Sequence, residues 1–271
     1  MKNRKKMSKV CRGSLERGLA VLIAINRRKH PSVVELARDT NLPRPTVHRL
    51  MGTLERGGFV TRNGPRDRYC LAHRVLALSD GFAEDDWISD VAGPLMRRFT
   101  QEHVWPLVLM TFEEGRMRVR FTTHQASPLS IDHGMVGRSL PMLRTAAGRC
   151  YLAFCTAPER RAIREMLARS KAPLDQGARD TRRLSKLIDA TRQRGYALQD
   201  REINPKATAV AIPVCVGSRV LGTLSLVWIS SGLTIRQAET RLLPPLQSTG
   251  ARIADAIRDR ALEKLMPLDF S

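Results

Sequence analysis

Residues 41–60 read NLPRPTVHRLMGTLERGGFV, and this stretch specifies the architecture of the N-terminal part of the chain. Pro45 is compatible with a helix only in its first turn, where no backbone donor is lost. The pair Gly57-Gly58 ends the helix. Apolar residues recur between these limits at helical spacing and form one stripe that we expect to be buried: Val47, Leu50, Met51 and Leu54.

The opposite face of this helix is positively charged. At about 100° per residue, it carries Pro45, His48, Arg49, Gly52, Thr53 and Arg56. Gly52 removes side-chain bulk, so the helix could approach a phosphate backbone or a base edge closely. A glycine is also tolerated at an ordinary exposed position, so Gly52 alone proves little.

Two helical patterns precede this stretch. Ser14 can cap a helix that runs to Arg28, with one apolar face formed by Leu15, Leu19, Leu22 and Ile23. Ser32 and Glu35 have the spacing of a capping box, which opens a second, shorter helix. Asn41 suits the turn that stops this second helix.

A hairpin follows the third helix. Residues 59–60 and 69–71 flank a turn around Asn63-Gly64, a dipeptide that strongly favours a tight hairpin. The arginines at or beside its tip are Arg62, Arg66 and Arg68. Three short helices and a basic hairpin describe a winged helix-turn-helix, whose third helix enters the major groove of DNA while the hairpin lies along the backbone. We therefore expect Arg49 to read a base edge and the hairpin arginines to contact phosphates.

The distribution of charge supports a polyanionic partner. The 271-residue chain has a formal net charge of +20, and charge of this size bears on binding more than on fold. Residues 1–80 hold 18 Lys and Arg against 6 Asp and Glu, whereas residues 81–271 hold 28 against 20. The basic field is concentrated at the N-terminus, as in a nucleic-acid-binding module. Solubility alone would be the alternative explanation.

Neither a membrane segment nor a secretory signal is expected. The longest apolar run near the start, AVLIAI, has six residues, far fewer than the roughly 20 that a bilayer requires. The five cysteines are odd in number and contain no CxxC pair, which fits a cytoplasmic protein.

Five segments carry a family resemblance. LERGLAVLIAI, VVELARDTNLPRPTVHRLMGTLERGGFV and RYCLAHRVLALS resemble the DNA-binding region of the IclR family of bacterial transcriptional regulators. GRSLPMLRTAAGRCYLAF and GYALQDREINPKATAVAIPV resemble its effector domain, so the match covers about residues 12–262. Within the family, DDWIS, HVWP, LPMLRTAAG and YLAFC look closest to regulators of phenylpropionate catabolism.

The resemblance implies a homodimeric or homotetrameric repressor or activator of α+β class, without a cofactor, for which RNA polymerase is a further partner if it activates. The expected layout is a basic tail (residues 1–11), a winged helix-turn-helix domain (12–72), a linker helix (73–86), a GAF-like effector-binding domain (87–264) and a C-terminal tail (265–271). Pro45 departs from the family pattern, where Ser or Thr usually contacts phosphate. Arg44 or Thr46 would supply that contact instead.

The second part of the sequence agrees with this layout. VWPLVLMTF and RMRVRFTT are strand-like around a turn at residues 113–115, and AVAIPVCV and VLGTLSLVWI form a hairpin around Gly217-Ser218. Helices are expected at residues 73–80, 87–103, 145–155, 158–169, 181–194 and 234–264. Strands mixed with helices in this order indicate an α+β sheet domain.

The resemblance also implies a pocket for a small organic acid effector. The positions that match the family's effector site are Leu129, Leu140, Ala146, Ala147, Gln199, Asp200, Ala207, Ala209, Ser225 and Val227. Small residues at a helix start leave a cavity, and helix N-terminal N–H groups favour a carboxylate, although any of these residues could equally be a core residue. Gln199 replaces one acid of a pair found in many members. The lost negative charge favours an organic acid, for example an aromatic one such as a hydroxyphenylpropionate.

Two other classes of function remain open: an enzyme with a nucleic-acid-binding appendage, and a nonspecific architectural DNA binder. Cys150 and Cys155 lack a neighbouring base, and Asp200 with Glu202 would be the most plausible acid–base pair. Three further residues could be metal ligands, although their spacing matches no defined site: His124, Asp132 and His133. We expect neither catalysis nor a metal.

Overall fold

The structure is a computed structural model that describes residues 13–28, 30–63, 68–78, 87–130, 132 and 134–263. The chain divides into two compact units. The first comprises Met1–Ala83 with Asp132–Gly134, and the second comprises Glu84–Ile131 with Met135–Ser271. Both expected tails, the candidate metal ligand His133 and the hairpin arginine Arg66 lie outside the described residues.

The N-terminal unit consists of three helices and a two-stranded hairpin, as expected for a winged helix-turn-helix. Its helices are α1 (Ser14–Asn26), α2 (Val33–Thr40) and α3 (Arg44–Arg56). Its antiparallel strands are β1 (Val60–Asn63) and β2 (Arg68–Leu71). A 3-10 helix at His73–Leu78 begins the expected linker helix, and residues 79–86 of that linker are not described.

The boundaries of α2 follow from its capping residues. The Ser32 hydroxyl accepts a hydrogen bond from the Glu35 N–H (3.4 Å), and the Glu35 carboxylate accepts one from the Ser32 N–H (2.8 Å). Asn41 ends the helix in the left-handed region, at φ +56°. Pro45 lies in the first turn of α3. The capping box, the stop at Asn41 and the place of Pro45 are confirmed.

α1 has different ends from those expected. Gly13, not Ser14, precedes its first turn, and its N–H donates to the Glu16 carboxylate at 3.2 Å. The helix ends at Asn26. Arg28 lies outside it, and its guanidinium forms a two-pronged ion pair with Asp39 of α2.

The buried face of α1 also differs from the expected apolar face. Leu15, Leu19 and Ile23 are 75%, 46% and 51% exposed. The buried residues are Val21, Ala24 and Ile25, which pack in one cluster with residues of α2, α3 and the hairpin. The run AVLIAI is apolar around the whole helix, so periodicity could not distinguish two possible faces.

The C-terminal unit is built on one antiparallel sheet. Its strands are β3 (Leu107–Glu113), β4 (Arg116–Thr122), β5 (Ser139–Pro141), β6 (Ala197–Asp200), β7 (Ala207–Val216) and β8 (Arg219–Ile229). They lie in the order β5-β4-β3-β8-β7-β6. Both expected hairpins are confirmed, with Glu114, Gly115 and Gly217 at positive φ in their turns.

Helices cover both faces of this sheet. They are α4 (Gly93–His103, after a π-helical turn at Ile88–Ala92), α5 (Ala146–Phe154), α6 (Ala157–Arg169), α7 (Thr181–Arg194, after a 3-10 helix at Pro173–Arg179), α8 (Ile235–Arg241) and α9 (Leu243–Glu263). The single closing helix expected over residues 234–264 is wrong. It is interrupted at Leu242 because Pro244 and Pro245 are tolerated only in the first turn of a new helix.

The sheet separates two apolar cores. On one face, Leu224, Leu226 and Trp228 pack in a cluster with residues of α4 and α9. On the other face, the sheet packs on α5, α6 and α7. This is the expected α+β arrangement. None of the helices in the described part of the chain is both long and apolar enough to cross a bilayer.

Candidate DNA-binding surface and effector site

α3 presents one apolar face to the core and one polar face to solvent. Val47 and Met51 are fully buried, and Leu50 and Leu54 pack partly against the same cluster. The expected outer residues that are exposed are Arg44, Pro45, His48, Arg49, Thr53 and Arg56, while Thr46 and Gly52 are half-buried. The predicted stripe and the predicted outer face are therefore both present on this helix.

Arg44 and Arg49 are held by no hydrogen bond or ion pair from any described side chain. By contrast, the Arg56 guanidinium donates to the Thr53 hydroxyl at 3.4 Å, and Thr53 donates to the Arg49 carbonyl at 3.1 Å. The guanidinium groups of Arg44 and Arg49 are therefore available to an external anion or base edge. A bidentate acceptor of that kind would form strong, charge-assisted hydrogen bonds with them.

Gly52 is not required by the packing of α3. A Cβ at this position would meet only the Arg56 guanidinium, at an ordinary contact distance of 3.6 Å. Its φ is not in the left-handed region, so a side chain would fit without strain. The packing of the N-terminal unit therefore gives no reason for a glycine at residue 52.

The hairpin arginines are engaged within the N-terminal unit. Arg62 donates to both carboxylate oxygens of Glu55 (3.1 and 3.2 Å) and lies over the Tyr69 ring. Arg68 donates to the His30 carbonyl (2.8 Å) and lies 3.5 Å from the Glu35 carboxylate. Side-chain exposures of 50% and 43% leave both guanidinium groups in contact with solvent. Sequence reasoning did not foresee these partners.

A tight turn positions the start of α5 in the C-terminal unit. The Thr145 hydroxyl donates to the Pro141 carbonyl (2.9 Å) and accepts from the Gly148 N–H (3.0 Å). A Cβ on Gly148 would lie 2.1 Å from the Met142 carbonyl oxygen. The backbone of the first turn therefore approaches the preceding loop so closely that only glycine fits at residue 148.

Small side chains meet between α5 and the sheet. The members of this small-residue cluster are Ala146, Cys150, Ala197, Ala209 and Ala211, with Val227 and Phe154 against them. Ala147, Leu140 and Val227 belong to the adjoining core, and Ala207 is buried at the start of β7. Most of the expected effector residues are thus brought to one face of the sheet.

Two buried hydroxyls lie on this same face. Ser225 pairs with Ala211 of the small-residue cluster, and Thr223 pairs with Met110 of the adjoining core. Neither hydroxyl has a hydrogen-bond partner among the described residues. A buried polar group without a partner is costly, so these hydroxyls are suited to a bound polar molecule.

Gln199 and Asp200 face opposite sides of the sheet. Gln199 is buried and pairs with Ala209, and its amide oxygen can accept from the N–H groups of Glu202 (2.7 Å) and Arg201 (3.1 Å). The Asp200 carboxylate instead accepts from Arg201 and the Thr208 hydroxyl, which together lower its pKa. Of this pair, only Gln199 faces the small-residue cluster.

Leu129 lies apart from the other expected effector residues. It packs against the core on the α4 and α9 face of the sheet. Leu129 lies in the loop between β4 and β5, and the path of that loop brings it to the opposite face from the small-residue cluster.

Arg149 joins α5 to the loop after β6, and sequence reasoning missed it. Its side chain is only 13% exposed. It donates to the carbonyls of Leu143 (2.8 Å) and Leu198 (2.9 Å) and to both Glu202 carboxylate oxygens (2.6 and 2.7 Å). The signal available in the sequence was the position of this arginine directly after the Thr145–Gly148 turn, at the start of an apolar helix. A cation buried there requires an acidic partner.

The candidate catalytic groups are buried thiols and carboxylates engaged by neighbouring side chains. Burial raises the pKa of the Cys150 thiol well above its ordinary value, and burial raises that of Cys155 to about 11. Both thiols are therefore protonated near neutral pH, whereas the thiolate is the nucleophile. Glu202 is held by Arg149, and Asp200 by Arg201 and Thr208.

Of the three residues considered as metal ligands, the structure describes His124 and Asp132 but not His133. Within the described part of the chain, no three His, Cys, Asp or Glu side chains come together as ligands. His124 is buried, and its Nδ1 lies 2.6 Å from the Ser130 hydroxyl.

Both units match models of known protein families. Residues 14–64 match the IclR helix-turn-helix domain, and residues 90–255 match the bacterial transcriptional regulator IclR C-terminal domain. Together the two matches cover most of the chain.

Individual relatives agree with these matches. The chain is 29% identical to the Pca regulon regulatory protein of Pseudomonas putida, over 86% of this chain and 80% of that protein. It is 26% identical to the transcriptional regulator XynR of Escherichia coli, over 90% and 96%. Its fold resembles that of the Thermotoga maritima IclR (TM-score 0.59, 20% identity, 90% and 98% covered). It also resembles an IclR homolog from Microbacterium hydrocarbonoxydans complexed with 4-hydroxybenzoate (0.57, 21%, 91% and 100%).

Proposed function

Because this chain belongs to the IclR family of DNA-binding transcriptional regulators, we propose that a small organic acid controls its binding to an operator. The observation that carries the proposal is the pair of buried, unpartnered hydroxyls of Thr223 and Ser225 on the face that holds the small-residue cluster. An acid bound there changes DNA affinity only if the two conformational states bind it differently.

DNA recognition is assigned to the outer face of α3. Arg49 reads a base edge in the major groove, and Arg44 and Thr46 contact phosphates at the helix start. The assignment is supported by the exposure of Arg44 and Arg49 and by their lack of a partner in the described chain. In the hairpin, Arg62 and Arg68 exchange their carboxylate and carbonyl partners for phosphates, and Arg66 contributes a third contact.

An aromatic acid, such as a hydroxyphenylpropionate, is the effector class that we favour. The neutral Gln199 amide beside the small-residue cluster replaces a carboxylate that would repel an anion. The first turn of α5 supplies N–H groups that favour a carboxylate. A homologue of similar fold has 4-hydroxybenzoate bound, and the name of one relative refers to the Pca regulon. The regulated genes would then be a catabolic operon.

The C-terminal unit acts as a sensor and not as an enzyme. This assignment is supported by the protonated, buried thiols of Cys150 and Cys155 and by the ion pairs that engage Asp200 and Glu202. The matched relatives are named as regulators.

Self-association is supported by the exposed apolar face of α1. Leu15, Leu19 and Ile23 expose large apolar side chains on one side of the helix, and contiguous exposed apolar surface marks interaction sites. A second copy of this chain covers that face in a homodimer or homotetramer. Sedimentation of Leu19→Lys against the parent would test this: an unchanged mass at all concentrations would exclude the α1 face as the contact.

The test of effector control measures the affinity of the protein for the promoter region upstream of its own gene. The DNA is titrated with protein in the absence and in the presence of 4-hydroxybenzoate or a hydroxyphenylpropionate. We expect the acid to change DNA affinity by ten- to a hundredfold, which corresponds to about 1.4–2.7 kcal/mol of coupling. The matched amide, which lacks the carboxylate, should have no effect. An equal response to acid and amide would contradict carboxylate recognition, and conversion of the acid by the protein would contradict the sensor assignment.

A further inference from the structure

A second concentration of positive charge lies in the C-terminal unit, on the segment from α6 to the end of α7. Residues 157–195 hold eleven Lys and Arg against five Asp and Glu. Their net charge of +6 compares with +8 for the whole of residues 81–271. About a fifth of that region therefore carries three quarters of its net charge, which is not the even distribution that solubility alone would favour.

Part of this charge has structural partners. The Arg160 guanidinium donates to the Cys155 carbonyl (2.9 Å), and the Arg192 guanidinium donates to the Ala153 carbonyl (2.5 Å). These two arginines hold the end of α5 and are accounted for by the fold.

Six other cations on α6 and α7 have no such role. Their side chains form no hydrogen bond or ion pair with any other described residue. All are exposed except Arg164, which is half-buried: Arg161, Arg164, Arg169, Arg182, Arg183 and Lys186.

The spacing of these cations opposes the stability of their helices. Arg164 is three residues from Arg161, and Lys186 is four residues from Arg182. Like charges at these spacings are neighbours on a helix surface and destabilise it. Glu165 is four residues from both Arg161 and Arg169, and Asp189 is three residues from Lys186, yet neither carboxylate forms an ion pair with these cations in the described chain. A bound anion would offset the repulsion that remains.

A groove runs along this face between α6 and the start of α7. It has a volume of about 460 Å³ and includes Arg160, Arg161, Arg164 and Thr181 in its lining, with Glu165 as an acidic member. Guanidinium forks match the geometry of phosphate oxygens, and the Thr181 hydroxyl adds a hydrogen-bonding group. Arg161 and Arg164 thus give the groove the positive charge that a phosphodiester backbone requires.

We propose that the α6–α7 face is a second DNA-binding surface, which contacts phosphates outside the sequence that α3 reads. The occupant is double-stranded DNA because the chain already binds DNA as a member of its family, and the duplex presents closely spaced phosphates to a charged face. Contacts of this kind are independent of sequence and strengthen binding to long DNA.

The test is the salt dependence of DNA binding by the full chain and by an Arg161→Ala/Arg164→Ala variant. The matched control is Arg236→Ala/Arg241→Ala, which removes two exposed arginines from α8 of the same unit. The first duplex is the footprinted promoter core, and the second extends it by about 20 bp, or two helical turns. A third duplex has the extended length and a random sequence. Thermal melting confirms that both variants are folded.

On the extended and random duplexes, we expect the negative slope of log K against log salt to become shallower by about 1.8 in the α6 variant, since each lost phosphate contact removes about 0.9 from its magnitude. The control should keep the parent slope, and all three proteins should agree on the core duplex. Equal slopes for variant and control on long DNA would overturn the proposal and leave an acidic protein as the partner of this face. An equal loss on the core duplex would overturn the location of the contact. The random duplex gives an answer even if the promoter contains no operator.

Discussion

Gly52 and Ser225 each make the fold less stable than another residue at the same position would. Gly52 occupies the middle of α3, where a Cβ would fit without a clash. Ser225 buries a hydroxyl without a partner in the described chain. Positions that break a local rule without a structural gain are expected at functional sites. Both lie where we place a ligand: DNA outside α3, and an acid beside α5.

Gly52→Ala should stabilise the N-terminal unit and weaken operator binding. Alanine is about 1 kcal/mol better than glycine inside a helix, but its methyl group separates α3 from the DNA. Thermal melting and DNA titration measure the two effects. Gly18→Ala on α1, where a Cβ would have no neighbour within 4 Å, should give the stability gain alone. Equal DNA affinities for the two variants would contradict close approach at Gly52.

Ser225→Ala should raise the free energy of unfolding without ligand by about 1 kcal/mol, because it removes an unsatisfied buried hydroxyl. It should also weaken binding of the acid effector, since the hydroxyl no longer donates. Denaturant unfolding measures the expected gain in stability, and calorimetry measures the expected loss of affinity for the acid. Ser218→Ala in the exposed turn of the same hairpin is the control. A variant that is less stable and binds the acid normally would indicate that Ser225 is an ordinary core residue.

Arg49→Ala should cost about 1–3 kcal/mol of operator binding and relax the preference at one base pair. Arg38→Ala removes an equally exposed charge from α2 and should leave that preference intact. Binding to a library of single-base operator variants measures both. An unchanged preference in Arg49→Ala would remove this side chain from base readout.

At the scale of elements, capping and clamping groups hold the helices in place. The Ser32 N–H and hydroxyl lower the pKa of Glu35 in the α2 capping box. The folded pKa therefore lies below the unfolded one. The resulting stability is present above about pH 4, the ordinary range of a glutamate, and is lost as pH falls through the folded pKa.

The N-terminal unit should accordingly lose stability on acidification more steeply in the parent than in Glu35→Gln, whose amide keeps the capping geometry without titrating. Melting temperatures between neutral and acid pH provide the comparison. Glu165→Gln on the exposed face of α6 should follow the parent curve. Parallel curves for Glu35→Gln and the parent would show that the capping carboxylate contributes nothing to acid sensitivity.

Arg149 is the clamp between α5 and the loop after β6. Arg149→Met should destabilise the C-terminal unit by about 3 kcal/mol, because Glu202 and two backbone carbonyls lose a largely buried partner. Denaturant unfolding measures the loss. Arg201→Met, which removes an exposed pair with Asp200, should have a small effect. Similar losses in both variants would show that burial of the Arg149 pair does not matter.

At the scale of the whole molecule, regulation requires the C-terminal unit to respond to an acid and the N-terminal unit to respond in DNA affinity. Coupling between two ligands is reciprocal. If the acid weakens operator binding tenfold, operator DNA should weaken binding of the acid tenfold. Calorimetric titration of the acid into free and DNA-bound protein tests this equality. Unequal factors would mean that the two titrations do not report the same pair of binding sites, for example because the acid also binds elsewhere on the chain or on the DNA.

The sequence alone was sufficient to predict the features that depend on residues close to one another along the chain. The third-helix stripe, the α2 capping box, the two hairpins of the C-terminal unit and the ends of α5 all follow from residues within a few positions of each other. Local hydrogen bonds and side-chain periods act over that distance. For the same reason, the outer face of α3 could be assigned from spacing alone.

Other features depended on contacts between distant segments. The packed face of α1 was chosen by α2, α3 and the hairpin, because its apolar run offers two faces. The partners of Arg62 and Arg149 come from other elements. Gln199 and Asp200 are neighbours in sequence, yet strand alternation directs them to opposite faces. Which residues share a site is a property of packing, since burial and pairing join groups that the chain order separates.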